Sequence, residues 1–190
     1  MTDHVLPLFS DFPDELTMAG RLVLGYGELE FELAACLGVV QTIDIAIRTL
    51  FRARGEQYRI EVADALMRPY FDMAGFVGQG GPYNDAIADL MHCRKIRNQF
   101  AHCHWSVSKR TGGLCFVDLQ TTAKTSSGPT TIEELEIDAA LLTRHEEYFR
   151  YVQRCFWHLA EEMKIHLGKL HSRAFKLPKK LERPPLYNGA

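Results

Sequence analysis

The sequence predicts a mostly α-helical domain, a bundle of helices with a small β-hairpin inserted between the last two long ones. Three observations carry that prediction. Apolar residues recur with the 3.6-residue helical period over most of the chain, whereas alternation is confined to residues 104–120. Proline and glycine fall between the periodic stretches, at Pro13, from Gly75 to Gly81, at Pro82 and at Gly168. The chain has 190 residues, 46% hydrophobic and 24% charged, which is ample for one packed domain or one domain with a tail.

Residues 1–12 read as a short arm whose Val5, Leu6, Leu8 and Phe9 can dock on the domain. Pro13, favoured in a first turn, opens a long helix that runs to about Leu37. Its broad apolar face comprises Leu16, Ala19, Val23, Tyr26, Leu33, Ala34 and Leu37, with Arg21, Glu28 and Glu32 toward water. Gly25 and Gly27 inside this helix cost about 1 kcal/mol each relative to alanine. Such glycines predict another backbone passing close by, a partner subunit being one source. A second helix is expected over 41–53 (Ile43, Ile47, Leu50, Phe51) and a third over 56–73 (Ile60, Val62, Ala63, Leu66, Met67, Tyr70, Phe71). Pro69, late in the third, is expected to kink or end it. Four glycines between Gly75 and Gly81 mark a loop, and a fourth helix runs from Pro82 to about His102.

After His102 the pattern changes. Trp105-Ser-Val-Ser alternates, Lys109 to Gly113 reads as a turn, and Leu114 to Gln120 reads as a strand. Ala123 to Pro129 is expected to be a polar loop, and Thr131 to Ile137 a third short strand. Asp138 is a good N-cap for a last helix to about Leu167, with Leu142, His145, Phe149, Val152, Phe156, Leu159 and Met163 inward. Beyond Gly168 the chain is basic and bears prolines, so residues 169–190 are expected to be a mobile tail after a helical domain spanning 13–168.

Composition excludes some functions. A net charge of −2 provides no global basic field, so any nucleic-acid contact must be confined to a site. No apolar run reaches membrane-spanning length, and Met1-Thr-Asp-His has neither the basic nor the apolar part of a signal peptide. Five scattered cysteines read as reduced thiols, so a cytoplasmic protein without a membrane partner is expected.

The stretch with the most chemistry is Arg97-Asn98-Gln99-Phe100-Ala101-His102. Laid on the fourth helix, Ala86, Leu90, Cys93, Phe100 and Ala101 share a face with Arg97 at its centre. A guanidinium inside a packed face is costly unless paired and hydrogen-bonded. On the first helix Glu30 sits likewise among Val23, Gly27 and Ala34, so an Arg97–Glu30 ion pair is expected. Arg and His together are a sufficient kit for metal-free cleavage of RNA. Five residues of regular helix rotate by about 140°, however. His102 therefore aligns with Asn98 rather than Arg97. Either the helix ends before His102, or a second copy related by a two-fold axis supplies the opposing residue.

The remaining candidates are weaker. His92, Cys93, His102, Cys103 and His104 group soft and imidazole ligands, but no Cys-x2-Cys spacing exists and no metal is expected. His145, alone on an apolar face, reads as a hydrogen-bonded core residue, and His104 as a backup acid–base group. Arg94 and Lys95 add local positive charge, while Gly78-Gln-Gly-Gly lacks the strand-before-helix context of a phosphate loop.

With those residues stated, the hexapeptide resembles the motif of the HEPN superfamily, an arginine and a histidine separated by four to six residues with a polar residue directly after the arginine. Two long helices flanking shorter ones, the motif at the end of an internal helix, and Glu30 in the first long helix are similar to that superfamily too. Phe-Ala-His followed by Trp105 resembles an uncharacterised bacterial branch of it. The resemblance covers about residues 14–105 and the last helix, with the hairpin as an insertion. It implies a helical homodimer, many relatives of which are metal-independent endoribonucleases of toxin–antitoxin or other defence systems, with RNA as substrate, an antitoxin as partner and no cofactor. Carried over, His102 is general acid or base, Arg97 stabilises the phosphorane, and Asn98 orients one of them. The competing expectation is a non-catalytic interaction or scaffold module in which Arg97, Glu30 and His102 are structural.

Overall fold

A computed structural model describes residues 7–52, 55–78, 80–125 and 133–189. The protein is mostly helical with one small antiparallel sheet, as the periodicity predicts. After a 3-10 turn at Pro7–Ser10 come α1 (Pro13–Val40), α2 (Ile43–Arg52), α3 (Glu56–Met73) and α4 (Pro82–His102). Strands β1 (His104–Val107) and β2 (Leu114–Val117), helix α5 (Leu119–Thr125), strand β3 (Leu135–Glu136) and helix α6 (Ala139–His166) follow. Among the described residues, no helix is long and apolar enough to cross a membrane. Of the arm, Val5 and Leu6 lie outside the described residues; Leu8 is half-buried.

The chain divides into two compact units, and the divisions fall inside α1, α4 and α6. One unit comprises Gly25–Arg94 and Tyr148–Arg183. Its core includes Tyr26, Leu33, Leu50, Met67, Phe71 and Leu159, all fully or almost fully buried. Phe71 stacks on Tyr83 with centroids 4.6 Å apart and planes 22° apart. Such a pair contributes about 0.5–1.5 kcal/mol beyond its burial. Pro69 does not end α3, which continues to Met73. The loop before α4 turns so tightly that a Cβ on Gly81 would meet the Phe76 carbonyl, so only glycine fits there. On α2 the buried residues are Ala46 and Leu50, while Ile43, Ile47 and Phe51 are exposed. The guanidinium of Arg59 lies over the Phe51 ring at 5.6 Å.

The other unit comprises Met1–Leu24, Lys95–Glu147 and Pro184–Ala190. Its sheet has the order β1-β2-β3, with Trp105 opposite Phe116 and Cys115 opposite Glu136. β2 is buried along its whole length. The expected strand to Gln120 and loop from Ala123 are corrected: residues after Asp118 coil into α5, where the Asp118 carbonyl accepts both the Thr122 amide (2.9 Å) and hydroxyl (2.7 Å). The expected N-cap is present, since the Leu141 amide donates to Asp138 Oδ1 at 2.8 Å.

Glu136 closes the hairpin. Its Oε1 accepts Ser108 Oγ (3.0 Å), Arg110 Nη2 (3.0 Å) and Thr111 Oγ1 (3.1 Å). The Arg110 hydrogen bond first, then that from Ser108, hold the Glu136 carboxyl below its usual value of 4.5. A depressed native value means that this stabilisation is complete above the unfolded value and is lost as pH falls through the native one. Acid titration of Tm is therefore expected to show a loss below pH 4.5 that Glu136→Gln reduces; an identical acid limb in the variant refutes it.

The segment after Gly168 makes backbone and side-chain contacts within each unit. It has no regular structure, yet its backbone finds side-chain partners. In the first unit, Glu161 Oε2 accepts the amides of Ala174 (2.8 Å) and Phe175 (2.7 Å), and Phe175 packs on Trp157. Lys180 pairs with Asp85 at 2.6 Å and Arg183 with Asp89 at 2.8 Å. In the second unit, Pro185, Leu186 and Asn188 hydrogen-bond to His145, Gln99 and Glu136. Two basic residues of this segment are thus counter-charges for α4.

Candidate functional site

The candidate site is the C-terminal end of α4 and the turn into β1. The buried arc of α4 here passes through Cys93, Ile96, Gln99 and Phe100. Arg97 lies on the same side by rotation and is half-buried, as is Asn98. Ala101, expected inside, is exposed. Arg97 Nη1 donates to Asn98 Oδ1 at 3.2 Å, so the polar residue after the arginine shares its guanidinium. His102 is the last residue of the helix and is exposed, and His104, the first of β1, is exposed as well.

An aromatic ladder sets this corner. Trp105 stacks on Phe100 with centroids 5.6 Å apart and planes 13° apart, and it also meets Phe116 at 5.4 Å. Phe100 meets the ring of His145 edge-on at 6.1 Å. The helix thus cannot rotate about its axis without breaking ring contacts on both sides. Gln99, between Arg97 and His102, is buried and donates from Nε2 to the Leu186 carbonyl at 2.9 Å. His145 is fully buried and donates from Nε2 to the Pro185 carbonyl at 2.8 Å, the core role its position predicts.

Helix α4 stays regular through His102, with the Cys103 amide still bonded to the Gln99 carbonyl at 3.3 Å. Within one chain Arg97 and His102 therefore point about 140° apart. The structure does not bring the two together on one side of the helix.

Glu30 is half-buried, and its Oε1 accepts Arg59 Nε at 2.7 Å and Nη2 at 2.6 Å. Arg59 is thus a partner of Glu30 that the sequence reading missed; its place 29 residues away on another helix left no local signal. The expected Arg97–Glu30 pair joins residues of different units. Arg94 Nη2 donates to Gln57 Oε1 at 3.1 Å, while Lys95 is exposed.

Among the described residues, no group of three or more His, Cys, Asp or Glu side chains is placed to hold a metal ion. Cys103, next to His102, is pushed up to about 12 by burial and then by the charge of Asp118. A thiol held that high is a poor nucleophile at neutral pH. Slow alkylation of Cys103 by iodoacetamide in the folded protein at pH 8, followed by peptide mapping, is the expected result; labelling as fast as in the unfolded chain refutes it.

Comparison with protein-family models, with curated proteins and with solved structures gives no match for this chain.

Proposed function

We propose that this chain is a metal-independent endoribonuclease of a bacterial toxin–antitoxin or other defence system, acting as a homodimer. The observation that carries the reading is the exposed imidazole of His102 at the end of α4, with half-buried Arg97 and Asn98 about one turn before it. Arginine offers a fork of donors to a phosphate, and histidine exchanges protons near neutral pH. In the reaction, a base removes the ribose 2′-OH proton as the 2′-oxygen bonds to phosphorus. The bond from phosphorus to the 5′-oxygen then breaks, an acid protonates that oxygen, and a cyclic phosphate end remains. His102 serves as base or acid, Arg97 offsets the charge on the phosphorane, and Asn98 steadies Arg97. His104 is the second proton-transfer candidate. The 140° separation within one helix supports a site in which a second copy supplies the opposing residue.

Incubating RNA with the protein in chelator-containing buffer, and identifying the product ends, tests this. Cyclic phosphate ends lost in His102→Ala support it; equal cleavage by that variant overturns it. The competing reading, a non-catalytic helical interaction module, is favoured by one observation. Arg97 and His102 do not share a face, and Gln99 between them serves the protein's own backbone.

A further inference from the structure

We infer that the outward row of α2 is a docking site for an acidic amphipathic helix of a second, different protein. The surface lies wholly within the unit Gly25–Arg94 and Tyr148–Arg183, and it does not depend on RNA cleavage. On α2, Ala46 and Leu50 are the buried residues. Ile43, Ile47 and Phe51 follow them around the helix, one per turn, within an arc of about 80°. These three are 43%, 38% and 47% exposed. They form a row of large apolar side chains about 12 Å long. A Cβ on Gly38 would stand 3.1 Å from Ile43 Cα, so the end of α1 already meets the start of α2 at backbone distance. Rolling α2 inward to bury the row would bring Ala46 and Leu50 out in exchange. A contiguous apolar row left outside marks an interaction site.

Charge selects the occupant. A parallel row of Asp44, Arg48 and Arg52 lies on the next arc of α2, and all three are exposed. Among the described residues, neither arginine has an ion-pair partner. Residues 42–59 hold four arginines and two carboxylates in a chain of net charge −2, so this is a basic island on an acidic protein. A second α2 would bring its own arginines to the same contact, which makes a copy of this chain the poorer match. A partner with carboxylates four residues apart, beside its own apolar stripe, pairs with both arginines.

Geometry selects a helix. Every strand among the described residues belongs to the other unit, and the backbone of α2 is spent on its own helical bonds. No sheet edge is therefore offered to an extended peptide. Knobs at i, i+4 and i+8 are matched instead by the stripe of a second helix. Arg48 and Arg52 stand toward the C-terminal end of α2. A partner running antiparallel presents its first turns there, where its own dipole also favours carboxylates. The far end of the row is set in advance. The Arg59 guanidinium lies over the Phe51 ring at 5.6 Å and is itself held by Glu30 at 2.6 Å. A ring fixed before contact loses little freedom on binding.

The probe is a labelled, alanine-based helical peptide of about 18 residues, with leucines at i, i+4 and i+8 and glutamates four apart in its first turns. Fluorescence anisotropy with the full chain is expected to show saturable binding, weakened about tenfold or more by Ile47→Gln. Arg48→Glu combined with Arg52→Glu should abolish binding of the glutamate peptide and create binding of its lysine counterpart. All three substituted residues are exposed, so thermal melts should stay near wild type. No saturable binding of the glutamate peptide, or equal binding of both peptides by the wild type, overturns the inference. Sedimentation velocity and co-sedimentation with phosphatidylglycerol vesicles address the other occupants. Self-association lost in the charge-reversed variant assigns the row to a second copy, and vesicle binding lost in it assigns the row to a membrane; either overturns the inference.

Discussion

Replacing His102 with alanine is expected to lower metal-free RNA cleavage by about a hundredfold or more, the usual contribution of a positioned acid or base. Tm should stay within about 2 °C, because substitution of an exposed residue outside any network changes stability little. His102 meets that condition: it is exposed at a helix end, and the ring stack of the corner uses Trp105 and Phe100. Arg97→Lys keeps the charge and loses the fork, so it should lower turnover while retaining weak RNA binding. The geometry supplies a stricter test. Arg97→Ala and His102→Ala are each expected to be inactive alone. Mixed and allowed to exchange subunits, they should recover about a quarter of wild-type activity, since half the dimers then carry one intact site of two. That recovery occurs only if the two residues come from different copies. Failure to recover, with exchange demonstrated by a tag, removes the shared site, and unchanged cleavage by His102→Ala removes the nuclease.

What the sequence made legible was periodic burial. The seven residues expected inward on α6 are all buried, and α3 and α4 begin and end where proline, glycine and the apolar rhythm place them. Short or half-used elements were harder. Leu119–Thr125 is too short and too polar to reveal a helical period, so α5 reads as a strand end and a loop. α2 carries apolar residues on more than one side, and pattern alone does not say that Ala46 and Leu50 are the buried pair. At the site, Arg97 stood out because charge on an apolar face is rare. The same reasoning applied to Asp89, between Ala86 and Leu90, would have predicted a counter-charge for it. Its partner Arg183 is 94 residues away in a stretch whose composition resembles free tail, and no local rule links them. Gln99 escaped for a related reason: a neutral amide inside a motif looks like solvent-facing filler until a backbone carbonyl from Leu186 is found on it.

Arg183→Ala is expected to cost about 2–3 kcal/mol and to lower Tm by about 5–10 °C. The size follows from which partner is left behind. The Asp89 side chain is 3% exposed, whereas that of Arg183 is 49% exposed, so the substitution strands a buried carboxylate rather than freeing a solvated cation. Breaking a fully buried pair costs about 3–5 kcal/mol, and water reaching the half-exposed guanidinium site trims that figure. The Tyr148 phenol nearby is pushed up by burial first and by Asp89 as well, so it keeps its proton beside the carboxylate, and its ring packs edge-on against His92. Lys180→Ala, on the same strap, removes an ion pair whose members are both exposed to solvent and should cost less than about 1 kcal/mol. The contrast between two cations three residues apart separates a buried-charge effect from general loosening of the strap. Replacing both Asp89 and Arg183 with leucine should recover much of the loss, because no buried charge then remains. Thermal melts of the four proteins decide the matter: equal losses for Lys180→Ala and Arg183→Ala, or no recovery in the double variant, would show that the strap is held by its backbone contacts to His145 and Gln99 and not by this pair.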